Sequence, residues 1–463
     1  MVPDLQKFRL WFLVGIGILY TWILWNFNGT GDDGDSIFHF LYAKYAFKHP
    51  ELFLHHWAKP VFVLLASPFA QYGFLGIKVF NVLLSLGSVW MVEYVAQKLG
   101  YSFSILGSFF QALAPLALVL AFSGLTEPLF AFLCICGLFS YLLERKILAL
   151  VLLSFLPFVR TEGFLFLGLI ALVVIWEREW KVLPFLFLGF LFYAIMGGIV
   201  SNDFLWFFRQ MPYNQSASHY GHGRIFHFVD QLFYVVGLPF YTFLIMGLFA
   251  GLVQILQGRL RVIEVCFIYG GFVGYVLAHS LFWYFGIFDS MGLKRVLVGV
   301  LPLASLIGLN GLNWLASFLN GKKQKTQFVL LIGILVLIFP FLGTPSSIHW
   351  QEFRLSAKQK QVLKMKLELK PWIKGGKRVS TAYPFVYYEL DVDCFDSDLA
   401  YPLSSNPDNC KRGDLLIWDS DFASIENGVS KESLMVNPRL EIMYERSESL
   451  GDKVFEIVVF HCK

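Results

Sequence analysis

The sequence predicts a polytopic α-helical membrane protein of about eleven transmembrane helices, with a small α/β domain at its C-terminus. Three observations predict it. Of 463 residues, 57% are hydrophobic, 15% are charged and 50 are Phe, whereas a soluble globular chain carries about 25% charged residues. Apolar runs near the roughly 20 residues needed to cross a bilayer recur through the first 343 positions. From 344 to 463 the composition becomes that of an ordinary soluble chain.

The expected spans are 8–27, 75–97, 103–122, 126–143, 147–160, 162–177, 182–200, 229–256, 262–284, 295–318 and 326–343. The first is long enough to span and no small-residue cleavage site follows it, so it reads as a retained helix rather than a signal peptide. The stretch 60–72 is short, starts at Pro60 and contains Pro68, so it reads as interfacial or re-entrant. Loop charges test the count. With the N-terminus cytoplasmic, the inner connections hold Lys7 and Arg9, Lys98, Arg145 and Lys146, Arg178 and Lys181, Arg259 and Arg261, then Lys322, Lys323 and Lys325. Every inner loop is basic, as the positive-inside rule requires. The expected domains are therefore a membrane domain, 1–343, and an outer domain, 344–463. The tail should form a helix over 354–370 and strands at 377–382, 414–418 and 454–460. The expected compartment is a bacterial periplasm, with the chain in the inner membrane, and a eukaryotic lumen is the alternative.

The net charge of +4 is small for this length and gives no reason to expect a nucleic-acid partner. Cys134, Cys136 and Cys266 sit in apolar runs, where thiols behave as small hydrophobes. In an oxidising compartment Cys394 and Cys410 are candidates for a disulfide. Asn28-Gly29-Thr30 and Asn214-Gln215-Ser216 are sequons of the kind chance supplies often.

The first outer loop, 28–59, reads Gly31-Asp32-Asp33-Gly34-Asp35-Ser36 and then becomes helical over 35–48. Asp35, His39 and Tyr42 recur at i, i+4 and i+7 on one face, with Ile37, Phe38, Leu41 and Tyr45 opposite. This predicts an amphipathic helix lying on the membrane. Asp33 reads equally as a helix cap, and Asp32 as the acid with only a solvated role. Adjacent His55 and His56 suit either a polar anchor or a ligand, and Lys59 suits a headgroup or a phosphate. Glu127 opens the fourth span, while Arg160 and Glu162 occupy the turn between the fifth and sixth. Charges in such places face a cavity or a partner; Arg160 and Glu162 could simply pair with each other. His219, Tyr220, His222, Arg224 and His227 crowd a glycine-containing loop that either wraps an anion or is only irregular. Lys294-Arg295 begins the tenth span on the outer side, against the charge trend, so Arg295 needs an anion. By this topology all these acids and cations share the outer face. A carboxylate base beside cations suits attack on a phosphate-linked substrate, and the membrane suits a lipid tail.

The order of these features resembles the GT-C glycosyltransferases, on the protein O-mannosyltransferase and aminoarabinose transferase side. It comprises one helix, a long outer loop with an Asp-containing helix, Lys59-Pro60, Thr126-Glu127-Pro128, Arg160-Thr161-Glu162-Gly163 and an outer tail. The resemblance is best over roughly 1–200 and looser to 343. It implies a polyprenyl-phosphate-sugar donor, inverting transfer to a lipid, glycan or protein acceptor, and a first-loop acid as base. Asp35 matches best and Asp33 is its rival, because the chain has Asp-Ser where the family has an Asp-Glu pair. Arg160 and Glu162 match an Arg-x-Glu-Gly turn, and Arg224 and Arg295 would hold phosphate by position. No metal is strictly required, since the leaving phosphate already carries its charge. Two other expectations compete. One is a transporter or flippase of a lipid-linked sugar, which often shows inverted repeats that this chain lacks. The other is a non-catalytic scaffold.

Overall fold

The computed structural model describes residues 3–213, 218, 220–373, 377–407, 409–451 and 453–463. The sequon at 214–216 and His219 lie outside the described residues. The chain is mostly helical. In order come α1 (Pro3–Asn26), α2 (Asp35–Tyr45), α3 (Pro60–Ala70), α4 (Gly73–Lys98), α5 (Ser104–Leu113), α6 (Pro115–Leu120), α7 (Glu127–Leu142), α8 (Lys146–Ser154), α9 (Gly163–Trp176) and α10 (Leu188–Ser201). Then come α11 (Trp206–Arg209), α12 (His227–Val236), α13 (Leu238–Leu256), α14 (Gly270–Phe285), α15 (Leu301–Ser317), α16 (Lys322–Ile338), α17 (Ala357–Ile373), α18 (Pro384–Leu390) and α19 (Lys431–Met435).

Among the described residues, seven helices are long and apolar enough to cross a membrane: Arg9–Asn26, Gly73–Lys98, Trp180–Ser201, Leu238–Leu256, Glu264–Phe285, Lys294–Ser317 and Lys322–Phe341. Their outward faces carry large apolar side chains in the open, such as Trp11, Ile18, Phe249, Leu256 and Leu331. Water would not tolerate such a surface, whereas lipid does. The chain is an integral membrane protein. Several expected spans are shorter or broken, for identifiable reasons. The run 103–122 divides at Ala114, which is extended ahead of Pro115. The run 229–256 divides at Gly237, whose φ of 78° no β-carbon would favour. The run 147–160 leaves α-helix after Ser154, just ahead of Phe155-Leu156-Pro157. The helix that opens at Lys294 is the most enclosed of the seven, and Arg295 stands in its first turn. Its neighbour α13 crosses it closely: a methyl on Gly247 or Gly311 would strike the facing backbone.

The C-terminal segment carries β1 (Val379–Thr381), β2 (Leu415–Asp419), β3 (Leu440–Leu450) and β4 (Lys453–Cys462) in the sheet order β1-β2-β4-β3. β1 and β2 are parallel and the other pairs antiparallel. The central Leu-Leu-Ile-Trp-Asp run of β2 is buried throughout, as a strand covered on both faces should be. The expected Cys394–Cys410 pair does not form. Gly413 N–H donates to Cys462 O and Cys462 N–H to Asp414 O, a register that brings Cys462 to Cys410, and those two are bonded. Cys394 keeps a free thiol.

The first-loop helix also differs from its expectation. It does not lie open on a membrane surface. Ser36, Ile37, His39, Phe40, Leu41 and Ala43 are buried. Trp57 covers Phe38, His39 and Tyr42, and the C-terminal segment covers the rest. Phe40 meets Tyr388 edge-on, Lys44 pairs with Asp391 at 2.6 Å, and Lys48 pairs with Asp393 and Asp396.

Candidate active site

The site is built on two turns wedged together. Asp32 Oδ1 accepts N–H groups of Gly34 (3.1 Å) and Ser36 (2.9 Å), so this acid starts the helix α2. Gly124 N–H donates to Ser36 Oγ at 2.6 Å, and Ser36 Oγ donates to Thr30 O. Gly31, at φ 85°, lies flat on Ser123, where a β-carbon would collide. Asn81 donates to Ser123 O and Leu125 O, fixing the second turn just before Glu127.

Arg295 reaches both turns. Its guanidinium pairs with Asp32 and Asp35 and stands 3.6 Å from Glu127. Glu127 is in turn 2.8 Å from Arg160, which also holds Glu162 at 2.7 Å and approaches Thr126 Oγ1 at 3.4 Å. His279 of α14 ends the chain, 3.2 Å from Glu162. Glu127 is only 2% exposed, so its charge depends on these arginines. Four carboxylates thus share two guanidiniums. Arg160 and Glu162 do pair, as one expectation had it, but within this larger network.

The two first-loop acids differ in character. Burial, reinforced by Asp35 and opposed by Arg295, pushes Asp32 up to about 6. For Asp35, burial works upward too, but the charge and hydrogen bond of Arg295 outweigh it and hold its carboxyl below the usual range. The linkage signs are opposite. Asp32 resists ionisation in the fold, so its contribution to stability declines as pH rises through its interval of about 4 to 6. Asp35 contributes stability above the ordinary carboxylate pKa and loses it as pH falls through its lower, folded value. Asp35 is also the more open, with its side chain 40% exposed against 22% for Asp32.

Asp33 turns away from this network. It lies 3.9 Å from Lys358 of α17, which also pairs with Asp421. Lys59 is buried at φ 67°, a backbone strain of about 1–3 kcal/mol that tends to mark functional positions. Its ammonium donates to Tyr213 OH at 3.0 Å and stands 4.6 Å above that ring. No carboxylate pairs with it among the described residues. His56 stacks on Phe207 at 4.3 Å with neither ring nitrogen hydrogen-bonded, and His39 stacks on Trp57 at 4.9 Å. Burial and nearby Lys59 push both imidazoles down to about 3, so they are neutral. Tyr220 is within electrostatic reach of Asp35: burial, then the carboxylates of Glu426, Asp35 and Asp289, push its phenol up to about 12. His222 and Arg224 are exposed, and Arg224 pairs with Asp230 at 2.8 Å. The structure therefore does not bring His222 or Arg224 to the network. Sequence reasoning missed Asp32, Tyr213 and His279. A histidine inside an apolar span is a signal for the last. Among the described residues, no three His, Cys, Asp or Glu side chains are grouped to hold a metal.

This arrangement stands on a fold already seen in solved structures. ArnT from Cupriavidus metallidurans bound to undecaprenyl phosphate superimposes with a TM-score of 0.62, over 99% of this chain and 98% of that one. The chain has the ArnT fold. The same transferase in the apo state gives 0.63 over 98% of both chains. Identity is 11% in each case, so the likeness to ArnT is one of architecture. No protein-family model and no curated protein matches the chain.

Proposed function

We propose that this chain is a membrane glycosyltransferase that moves a sugar from a polyprenyl-phosphate-linked donor to an acceptor hydroxyl at the outer membrane face, with inversion. The carrying observation is the pairing of an open acid with an uncompensated buried cation. Asp35 has one oxygen on Arg295 and the other facing no donor among the described residues. Lys59 is buried without a carboxylate, and His39 feels the charge of both. The ArnT fold, seen with undecaprenyl phosphate bound, supports the donor class.

In this reading the acceptor oxygen attacks the anomeric carbon as the bond from that carbon to the phosphate oxygen breaks. The acceptor proton passes to Asp35, and the polyprenyl phosphate leaves with the bonding electrons. Lys59 takes its charge, with Arg295 and Arg160 behind it. A phosphate on Arg295 would loosen that guanidinium's hold on Asp35, making the acid more basic when the donor is present. Asp33, Arg224 and His222 have no part in the step. The expected orientation is N-terminus cytoplasmic and C-terminal segment periplasmic, in a bacterial inner membrane. The shorter apolar helices α5 with α6, α7, α8 and α9 complete eleven crossings, and the domains divide near 343.

The direct test is titration with undecaprenyl phosphate in nanodiscs. Lys59→Met is expected to weaken binding about 10–100-fold, the worth of one charged hydrogen bond. Arg224→Met should bind as wild type. Equal loss in both variants, or loss in neither, would count against the assignment. The pH profile supplies a second expectation. As pH falls through about 6, Asp32 takes a proton and its hold on Arg295 weakens, so kcat should fall there. Asp32→Asn keeps a capping oxygen and should be slower but flat over that interval. An acid limb unchanged in Asp32→Asn would assign it to another group.

A further inference from the structure

We infer that Gln359, in the first turn of α17, is a positioning residue for the catalytic loop, coupling the C-terminal segment to the acids on Arg295. The inference rests on the reading of Asp35 as base. Contacts spread from Gly29 to Gly34 bring the C-terminal segment onto this loop. Gly29 N–H donates to Phe353 O at 2.7 Å. Gln359 Nε2 donates to Thr30 Oγ1 at 2.7 Å and approaches Asp32 O at 3.4 Å. Lys358 meets Asp33. Phe422 covers Gly34 so closely that a β-carbon there would stand 2.8 Å from its ring.

Gln359 is distinctive because one side chain serves two structures. Its Oε1 accepts Ser356 N–H at 3.1 Å while Ser356 Oγ accepts Gln359 N–H at 3.1 Å, a reciprocal capping box that starts α17. That bond fixes the amide's orientation and leaves Nε2 aimed at the loop. Thr30 Oγ1, which receives it, donates to Asp32 O at 2.6 Å, and Thr30 O accepts from Ser36 Oγ. The line runs from the α17 cap through Thr30 to the residue whose carboxylate holds Gly34 and Ser36. Gln359 is 1% exposed and Thr30 3%, so water cannot replace a lost partner. Gln359 and Thr30 are both buried, and their effect would be to hold Asp32 and Asp35 where Arg295 meets them.

The test uses full-length protein in nanodiscs, with Gln359→Met, Thr30→Val and the double variant. Amide exchange over 29–36 is read independently of activity. Each single variant should speed exchange at Gly34 and Ser36 about tenfold, the worth of one buried hydrogen bond. Each should lower kcat by about tenfold with donor KM unchanged, and the double variant should be no slower than the worse single one, because either change already cuts the Gln359–Thr30 link through which the other acts. Thr30→Val keeps the test usable if Gln359→Met folds poorly, since it leaves the α17 cap intact. Wild-type exchange rates in both variants would overturn the coupling, as would additive losses. Faster exchange in the variants, where the wild-type protein itself transfers no sugar, would leave the coupling standing and remove the transferase reading instead.

Discussion

Asp35→Asn is expected to abolish sugar transfer, lowering kcat by about 10²–10⁴-fold, the usual contribution of a general base, while undecaprenyl phosphate still binds. Asparagine keeps the shape and one oxygen for Arg295 but cannot take the acceptor's proton. Asp33→Asn should stay within about threefold of wild type, because Asp33 faces Lys358 at 3.9 Å and so long a pair, partly open to water, is worth little. The contrast distinguishes two acids that are rivals on sequence alone. Measured as initial rates at saturating donor, full activity in Asp35→Asn with loss in Asp33→Asn would reverse the assignment.

The second large effect concerns stability. Arg160→Met is expected to destabilise the protein by about 3–5 kcal/mol, because it leaves Glu127 charged, 2% exposed and dependent on a more distant Arg295. Adding Glu127→Leu should recover part of the loss, since an apolar pair costs less than an unmatched buried charge. Denaturation midpoints in one detergent would read both. A double variant less stable than Arg160→Met alone would mean that Glu127 is held by something other than the two arginines.

Much of this site is legible in the amino-acid sequence, and the reason is topological. Glu127, Arg160, Glu162, Arg295 and the first-loop acids lie far apart in the chain, yet the basic inner loops assign them all to one membrane face. Which partner each takes is not legible. Arg295 meets Asp32 across 263 residues, and no local periodicity encodes such a contact. Asp32 reads as merely solvated because the cap it supplies depends on Gly34 turning back toward it. The amphipathic pattern of α2 is real, but its polar face is covered by Trp57 and by the segment after α18. Residues 28–59 hold no sign of the second of these covers. β3 escapes notice because its Glu-Arg-Ser-Glu stretch reads as loop; as an edge strand it needs only one paired side. The disulfide is misassigned for a similar reason, since the register of β4 chooses Cys462. The helix breaks at Pro115 and Gly237 do carry clear local signals, which the length of the surrounding apolar runs conceals.

The central claim is most directly tested by mass spectrometry of the lipids that purify with wild type, Asp35→Asn and Lys59→Met. A polyprenyl-phosphate-linked sugar is expected with Asp35→Asn, which binds donor but cannot turn it over, and only traces with Lys59→Met. The same bulk phospholipids in all three, with no polyprenyl phosphate in any, would contradict the donor class and with it the proposed reaction.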